Sequence, residues 1–172
     1  MADGGGNMTT RFTPDPENTR LLRNAFGRFA TGVTVITCDG VDGPVGITAN
    51  SFSSVSLDPA LVLWAPAKSS RRFAYFSAAQ HYAIHILDVE QADICNGFVK
   101  SAHAFDGLDY IVNAHNVPLI ENCLARFECT RVNNYDGGDH EIILGQVTNA
   151  EMRDGDALAF YAGRMGGLPQ HV

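Results

Sequence analysis

The hydrophobic positions of this chain recur mostly at strand spacing, with a few scattered helical stretches. Val33-Thr34-Val35-Ile36-Thr37 is a β-branched run and predicts a strand. The turn signals Asp39-Gly40 and Asp42-Gly43 follow, so a hairpin leads into residues 44–59, PVGITANSFSSVSLDP. Asp58-Pro59 turns the chain again, into a short buried strand at Leu61-Val62-Leu63-Trp64-Ala65. Further strands are predicted at Tyr82-Ala83-Ile84-His85-Ile86-Leu87 and from Cys123 through Val132. The turn cluster 133–139 then makes a hairpin with its tip near Gly137-Gly138, and the chain returns as a strand over 141–147. Ala157-Leu158-Ala159-Phe160-Tyr161 is the last strand.

Helical spacing is confined to three places. Asp15-Pro16-Glu17 is a helix start, a capping acid followed by Pro in the first turn. Leu21, Leu22, Ala25, Phe26 and Phe29 then predict a helix with one face on the body of the protein and Gly32 past its end. Ser69 or Ser70 can cap a helix carrying Phe73 and Phe76. Residues 89–99 read as a helix with Val89, Ile94, Cys95 and Phe98 inward. Residues 1–13 are Gly-rich and polar and are expected to be a mobile tail, leaving 14–172 as one domain. The fold class expected is α+β, mainly β: an antiparallel barrel with a few peripheral helices.

Charge narrows the function. A net charge of −7 and a pI near 5.2 argue against a general nucleic-acid or anionic-membrane binder, since phosphates would be repelled. One nucleotide in a local basic pocket is still allowed. Cys38, Cys95, Cys123 and Cys129 form no CxxC, and no secretory signal precedes them. They are expected to be reduced thiols in a cytoplasmic protein. No apolar run reaches membrane-spanning length. Neither GxGxxG after a strand nor GxxxxGK[ST] occurs, and GxSxG is absent too.

The stretch richest in chemistry is the strand at 44–59. Gly46, Thr48, Ala49, Asn50, Ser51, Ser53, Ser54 and Ser56 give it more small and hydroxyl side chains than a core strand needs. Such residues let a flat ring approach the backbone and offer donors to its edge, although a Ser-rich strand and turn without a ligand has the same composition. Lys68, Arg71 and Arg72 put positive charge beside Ser69 and Ser70, which suits a phosphate or simply an exposed basic helix start. Gly138-Asp139-His140 reads as an acid/base or metal fragment, or as a polar hairpin mouth. His85 reads as a hydrogen-bonded histidine within its strand. His81, four residues away, is too far along a strand to share one metal with it, and no metal site is expected.

GITANSFSSVSLDPALVL resembles the flavin-binding signature of the flavin reductase-like family, and the resemblance runs from about residue 20 to about residue 165. It implies a dimeric, FMN-binding split β-barrel of Greek-key-like topology, a homodimer with one flavin per subunit near the interface. The implied activity is hydride transfer from NADH or NADPH to FMN or FAD, supplying reduced flavin to a partner monooxygenase. By the same resemblance Thr48, Ala49, Asn50 and Ser51 hold the ring, with Ser54 and Val55 near it. Lys68, Ser69 and Ser70 bind the flavin phosphate, and Arg71 or Arg72 adds to them. His140 of the GDH motif orients the nicotinamide as the catalytic residue, by positioning rather than by abstracting a proton. Phe105 borders the flavin or packs in the core, and Arg164 meets a phosphate or lies on the surface. Two departures stand out: Ala104 where Lys or Arg is common, with His103 beside it, and Met165 in place of the last aromatic of a Y-x-G-x-aromatic segment. They leave open a flavin-retaining oxidase or monooxygenase on the same fold, or a non-catalytic flavin- or haem-binding barrel.

Overall fold

In the computed structural model, residues 9–170 are described. The expected mobile tail falls largely outside them, and its last residues, 9–13, carry no regular structure. Pro16–Asn18 form one 3-10 turn, where the Asp15 carboxylate accepts the Glu17 N–H at 2.8 Å and the Asn18 side chain accepts the Asp15 N–H. Helix α1 is Thr19–Phe26, followed by strands β1 (Thr31–Gly32), β2 (Thr34–Gly40), β3 (Gly43–Ala49), β4 (Ser53–Leu57) and β5 (Ala60–Trp64). Helix α2 (Phe73–Ala78) leads to β6 (His81–Ile86), and α3 (Ala92–Lys100) leads to the hairpin β7 (Tyr110–Val112) and β8 (Pro118–Ile120). Two long strands, β9 (Ala125–Gly137) and β10 (His140–Met152), precede β11 (Ala157–Tyr161) and β12 (Arg164–Leu168).

Seven strands form one antiparallel sheet in the order β3-β2-β6-β9-β10-β5-β4. Its two ends share a core. Ile36, Val45 and Ile47 from one end pack in the same cluster as Val62, Trp64 and Ile143 from the other, so the sheet curls into a barrel. The end strands β3 and β4 are not paired to each other, and the barrel is split between them. Strand alternation builds a second core on the outer face. Ile36 and Cys38 of β2 point into the barrel, whereas Val35 joins Leu87, Cys95, Phe98, Ile120 and Leu158 under α3, β8 and β11.

Two contacts fix this arrangement near the split. A Cβ on Gly46 would lie 2.3 Å from the Phe98 ring, so α3 seats on the bare backbone of β3. The Gly46 N–H donates to Ala102 O at 2.8 Å, which ties the chain after α3 to the same point. On the outer face, fully buried His85 receives the Ile120 N–H on Nε2 at 3.0 Å, so its proton sits on Nδ1 and is donated to Val35 O at 2.9 Å. The expectation of a hydrogen-bonded strand histidine agrees with this geometry.

Helix geometry departs from expectation in two places. α1 ends at Gly27, not near Gly32, and buries none of its residues; Phe26 is 69% exposed. An eight-residue helix held at its end by Ala162 N–H to Gly27 O leaves its apolar face uncovered. α2 is only six residues long and is capped by Arg72 without a side-chain bond. Ser70 is spent one turn earlier, its Oγ accepting the Arg72 N–H at 3.2 Å.

Gly46→Ala is expected to lower unfolding free energy by about 1–3 kcal/mol, read from the urea midpoint, because Phe98 has to be displaced. An unchanged midpoint would show that the α3 seat yields freely. Burial pushes His85 from its ordinary 6.5 down to about 4, so the unfolded chain takes up that proton first as pH falls. Its contribution is complete above pH 6.5 and lost as pH falls to about 4, on the order of 3 kcal/mol. Melting curves across this window should fall with pH, and less steeply for His85→Gln.

Candidate functional site

Between the end of β3 and the segment that follows β5 lies a cleft of about 330 Å³. One wall is the end of β3, Thr48 to Ser51; the other is Trp64 to Ala67, with Ser70, Arg72, Val99 and His140 completing it. Among the described residues β3 has a strand partner on one side only. Its Gly46 N–H points away from β2 to Ala102, and by strand alternation the Thr48 N–H points to that same free edge. The side chains here are already employed. Thr48 Oγ donates to Cys95 O at 2.8 Å, and Ser51 Oγ accepts the Ala65 N–H at 3.0 Å, bridging the split. The Asn50 side chain is exposed, with no hydrogen bond among the described residues.

His140 reaches this cleft because the β9–β10 hairpin is strapped to the segment after β5. Ala67 bridges His140, the Glu141 N–H donates to Pro66 O at 3.1 Å, and the Lys68 N–H donates to Asp139 O at 2.9 Å. The Lys68 ammonium adds an ion pair with Asp136 and a 2.8 Å bond to Gly138 O. Gly138 takes the tip at φ +76, a conformation that favours glycine. The Asp139 carboxylate lies 2.8 Å from His140 Nδ1, and this contact holds its carboxyl below the usual range. The pair gives the ring a fixed orientation and leaves Nε2 for a ligand.

An apolar recess of about 230 Å³ adjoins the other side of Thr48–Asn50, lined by Val33, Cys95, Val99, Phe160 and Met165. Cys95 Sγ lies 3.5 Å from Met165 Sδ. Burial pushes the Cys95 thiol up, with Thr48 opposing weakly, so it is a neutral filler. Met165, the departure from the aromatic pattern, therefore borders the signature strand.

Of the residues expected from sequence, the cleft brings together Thr48, Ala49, Asn50, Ser51, Ser70 and His140. Others lie elsewhere in the single chain. Ser54 and Val55 are exposed on β4, the outermost strand of the sheet. Lys68 is occupied by the hairpin tip and Ser69 is exposed. Phe105 is a core residue, its ring 4.9 Å from Phe98 and 5.1 Å from Tyr110. Arg164 is exposed at the start of β12. His81 stacks on His115 at 3.7 Å, and among the described residues no three His, Cys, Asp or Glu side chains gather as metal ligands. Trp64 and Val99 were not foreseen; for Val99 the available signal was an apolar residue on the outward face of α3.

A half-open antiparallel barrel with a hydroxyl-rich free strand facing a hairpin-borne histidine defines a class, and comparison agrees. Residues 26–169 match the family model described as flavin reductase like domain, and the chain belongs to that family. The FMN reductase (NADH) SmoA of Agrobacterium fabrum is 53% identical over 155 residues, 90% of this chain and 89% of that protein. The reductase component of the flavin-dependent trigonelline monooxygenase of Acinetobacter baylyi is 46% identical over 146 residues, 84% of this chain and 47% of that longer one. Among solved structures, the NADH:FAD oxidoreductase SgcE6 of Streptomyces globisporus has a TM-score of 0.86 at 34% identity, covering 96% of each chain.

Lys68→Met is expected to free the hairpin tip, seen as faster amide hydrogen exchange over residues 136–140 with the β6–β9 ladder unchanged. Equal protection in both proteins would show that the backbone bonds alone hold His140.

Proposed function

We infer that this protein is an NADH-dependent flavin reductase that supplies reduced flavin to a separate monooxygenase. The observation that carries this reading is the meeting of His140 with the Thr48–Ser51 edge in one cleft, in a chain of the flavin reductase like family. A flavin fits what is there. The slot is walled by small side chains, the free-edge Thr48 N–H and the Asn50 amide suit a polar-edged planar ring, and Val99 gives an apolar face. The bound flavin supplies the hydride acceptor; the chain supplies position.

Each residue then has a defined task. Thr48 and Asn50 hydrogen-bond the edge of the ring, Ala49 lets it approach, and Ser51 keeps the two walls at a fixed spacing through Ala65. Ser70 and Arg72, at the far end of the cleft, take the phosphate, in place of Lys68 and Ser69. His140, oriented by Asp139, presents Nε2 to the nicotinamide carboxamide and holds that ring over the flavin, where short distance and parallel stacking lower the barrier. No side chain acts as a nucleophile or proton acceptor in this scheme.

NADH is the donor in this reading, consistent with the names of SmoA and SgcE6, and the isoalloxazine ring common to FMN and FAD occupies the cleft. The working unit is a homodimer: Phe26, Phe29, Val55 and Leu57 are exposed by 69, 77, 49 and 96%, apolar area that a second copy would cover. Ser54 and Val55 belong to this surface and not to the single-chain cleft. The four cysteines are unpaired and buried, which suits a reducing, cytoplasmic setting.

The test is NADH consumption without flavin, with FMN and with FAD: stimulation by flavin is expected, and no stimulation by either would refute the assignment. His140→Ala is expected to raise the NADH KM about tenfold while changing flavin affinity less than about twofold, and Asn50→Ala to weaken flavin about three- to tenfold. Equal effects of His140→Ala on both ligands would remove its nicotinamide role.

A further inference from the structure

The apolar recess beside Thr48–Asn50 carries chemistry that hydride transfer does not use. Two sulfur atoms meet on its wall, Cys95 Sγ of α3 and Met165 Sδ of β12, 3.5 Å apart in space and 70 residues apart in sequence. Each is held from its own side: α3 is seated on Gly46, and Met165 is paired across the β11–β12 ladder with Phe160. Thr48 and Asn50 are the polar members of the wall, and no carboxylate, imidazole or cationic side chain lines the space. The other cysteines are placed differently. Cys38 and Cys129 lie in the barrel core and Cys123 in the outer core, where burial pushes each thiol up to about 12. Cys95 is the thiol that faces a cavity, and Met165 beside it is 42% exposed.

A thiol and a thioether in an apolar recess are poor ligands for hard cations, which take oxygen donors and keep their water. Sulfur donors of these two kinds select copper(I). We propose that Cys95 and Met165 form a binding site for a soft monovalent metal ion of the copper(I) class. On binding, the Cys95 thiol releases its proton to solvent and its thiolate gives an electron pair to the ion. Met165 gives a thioether pair, and the oxidation state of the ion does not change. With metal–sulfur bonds of about 2.3 Å, donors 3.5 Å apart meet the ion at an angle of about 100°, which leaves its side toward the recess open to a third ligand from solvent. Burial holds the proton on Cys95, so uptake strengthens as pH rises. An ion held here stands against the Thr48–Asn50 edge. The binding itself does not rest on the flavin reductase reading; only an effect on turnover would.

The probe is copper(I), offered to the intact protein without oxygen as its coloured bicinchoninate complex. Wild type is expected to withdraw one equivalent from the dye. Met165→Leu keeps the thiol and is expected to bind about tenfold more weakly or worse, and Cys95→Ser is expected to lose the site. Met152→Leu, at an exposed position at the end of β10, is the control and is expected to match wild type. No withdrawal by wild type overturns the proposal. So does equal affinity in wild type and Met165→Leu, which would reduce the site to a lone thiol, or an equal loss in Met152→Leu. Cys95 is buried, and circular dichroism checks the fold of its variant. Should that variant fail to fold, copper-edge X-ray absorption of the loaded wild type decides in its place: two sulfur neighbours are expected, and one or none overturns the proposal. Flavin-stimulated NADH oxidation of the metal-free protein separates the two readings. Copper uptake without that oxidation would sink the reductase and leave the metal site standing, whereas oxidation without uptake sinks the metal site alone.

Discussion

The contact of Phe98 with the bare backbone at Gly46 decides how α3 and the segment after it stand against the signature strand. It seats α3 on β3, and the Gly46 N–H to Ala102 bond carries the next segment along the same edge. From this seat Val99 enters the cleft, Cys95 takes the Thr48 hydroxyl, and Lys100 and His103 reach a basic cavity that Arg72 also lines. Any side chain at 46 would push the ring away and shift all three at once. The cost of that constraint is small, because glycine in an edge strand loses about 1 kcal/mol of local preference against a fully buried aromatic ring.

The second constraint is the strap between residues 66–68 and the β9–β10 hairpin. β9 and β10 are each thirteen residues long and carry His140 far from the centre of the sheet, where a free hairpin would fray. Two backbone hydrogen bonds, to Pro66 O and from the Lys68 N–H, flank the Ala67–His140 pair and bring the hairpin back over the split. The cleft is thus built from two rigid edges and a latch. That construction suits a reaction whose main requirement is to keep two rings parallel and close, with little acid–base chemistry.

Much of this was legible in the chain itself. β-branched alternation marked β2, β3, β6, β9 and β10, and the crowding of Thr48, Asn50 and Ser51 marked the edge that faces the cleft, because neither signal needs distant partners. The hairpin tip at Gly137-Gly138 was legible from turn chemistry, and with it the position of His140. What was not legible depended on tertiary choice. Lys68 reads as a phosphate ligand in sequence, and its pairing with Asp136, far away along the chain, is visible only in the fold. Phe105 reads equally as ring-stacking or core, and only the placement of Phe98 and Tyr110 decides for the core. α1 has a clear apolar stripe, yet the described residues leave it uncovered. β12, Arg164–Leu168, is glycine-rich and patternless, and it is a strand only because β11 supplies the ladder.

A crystal structure with oxidised flavin and a non-reducible NADH analogue tests the central claim most directly. The account predicts the isoalloxazine edge on the Thr48 N–H and Asn50, with the nicotinamide between that ring and His140 Nε2. A ring bound away from the 48–51 edge, or a nicotinamide out of reach of His140, would contradict it.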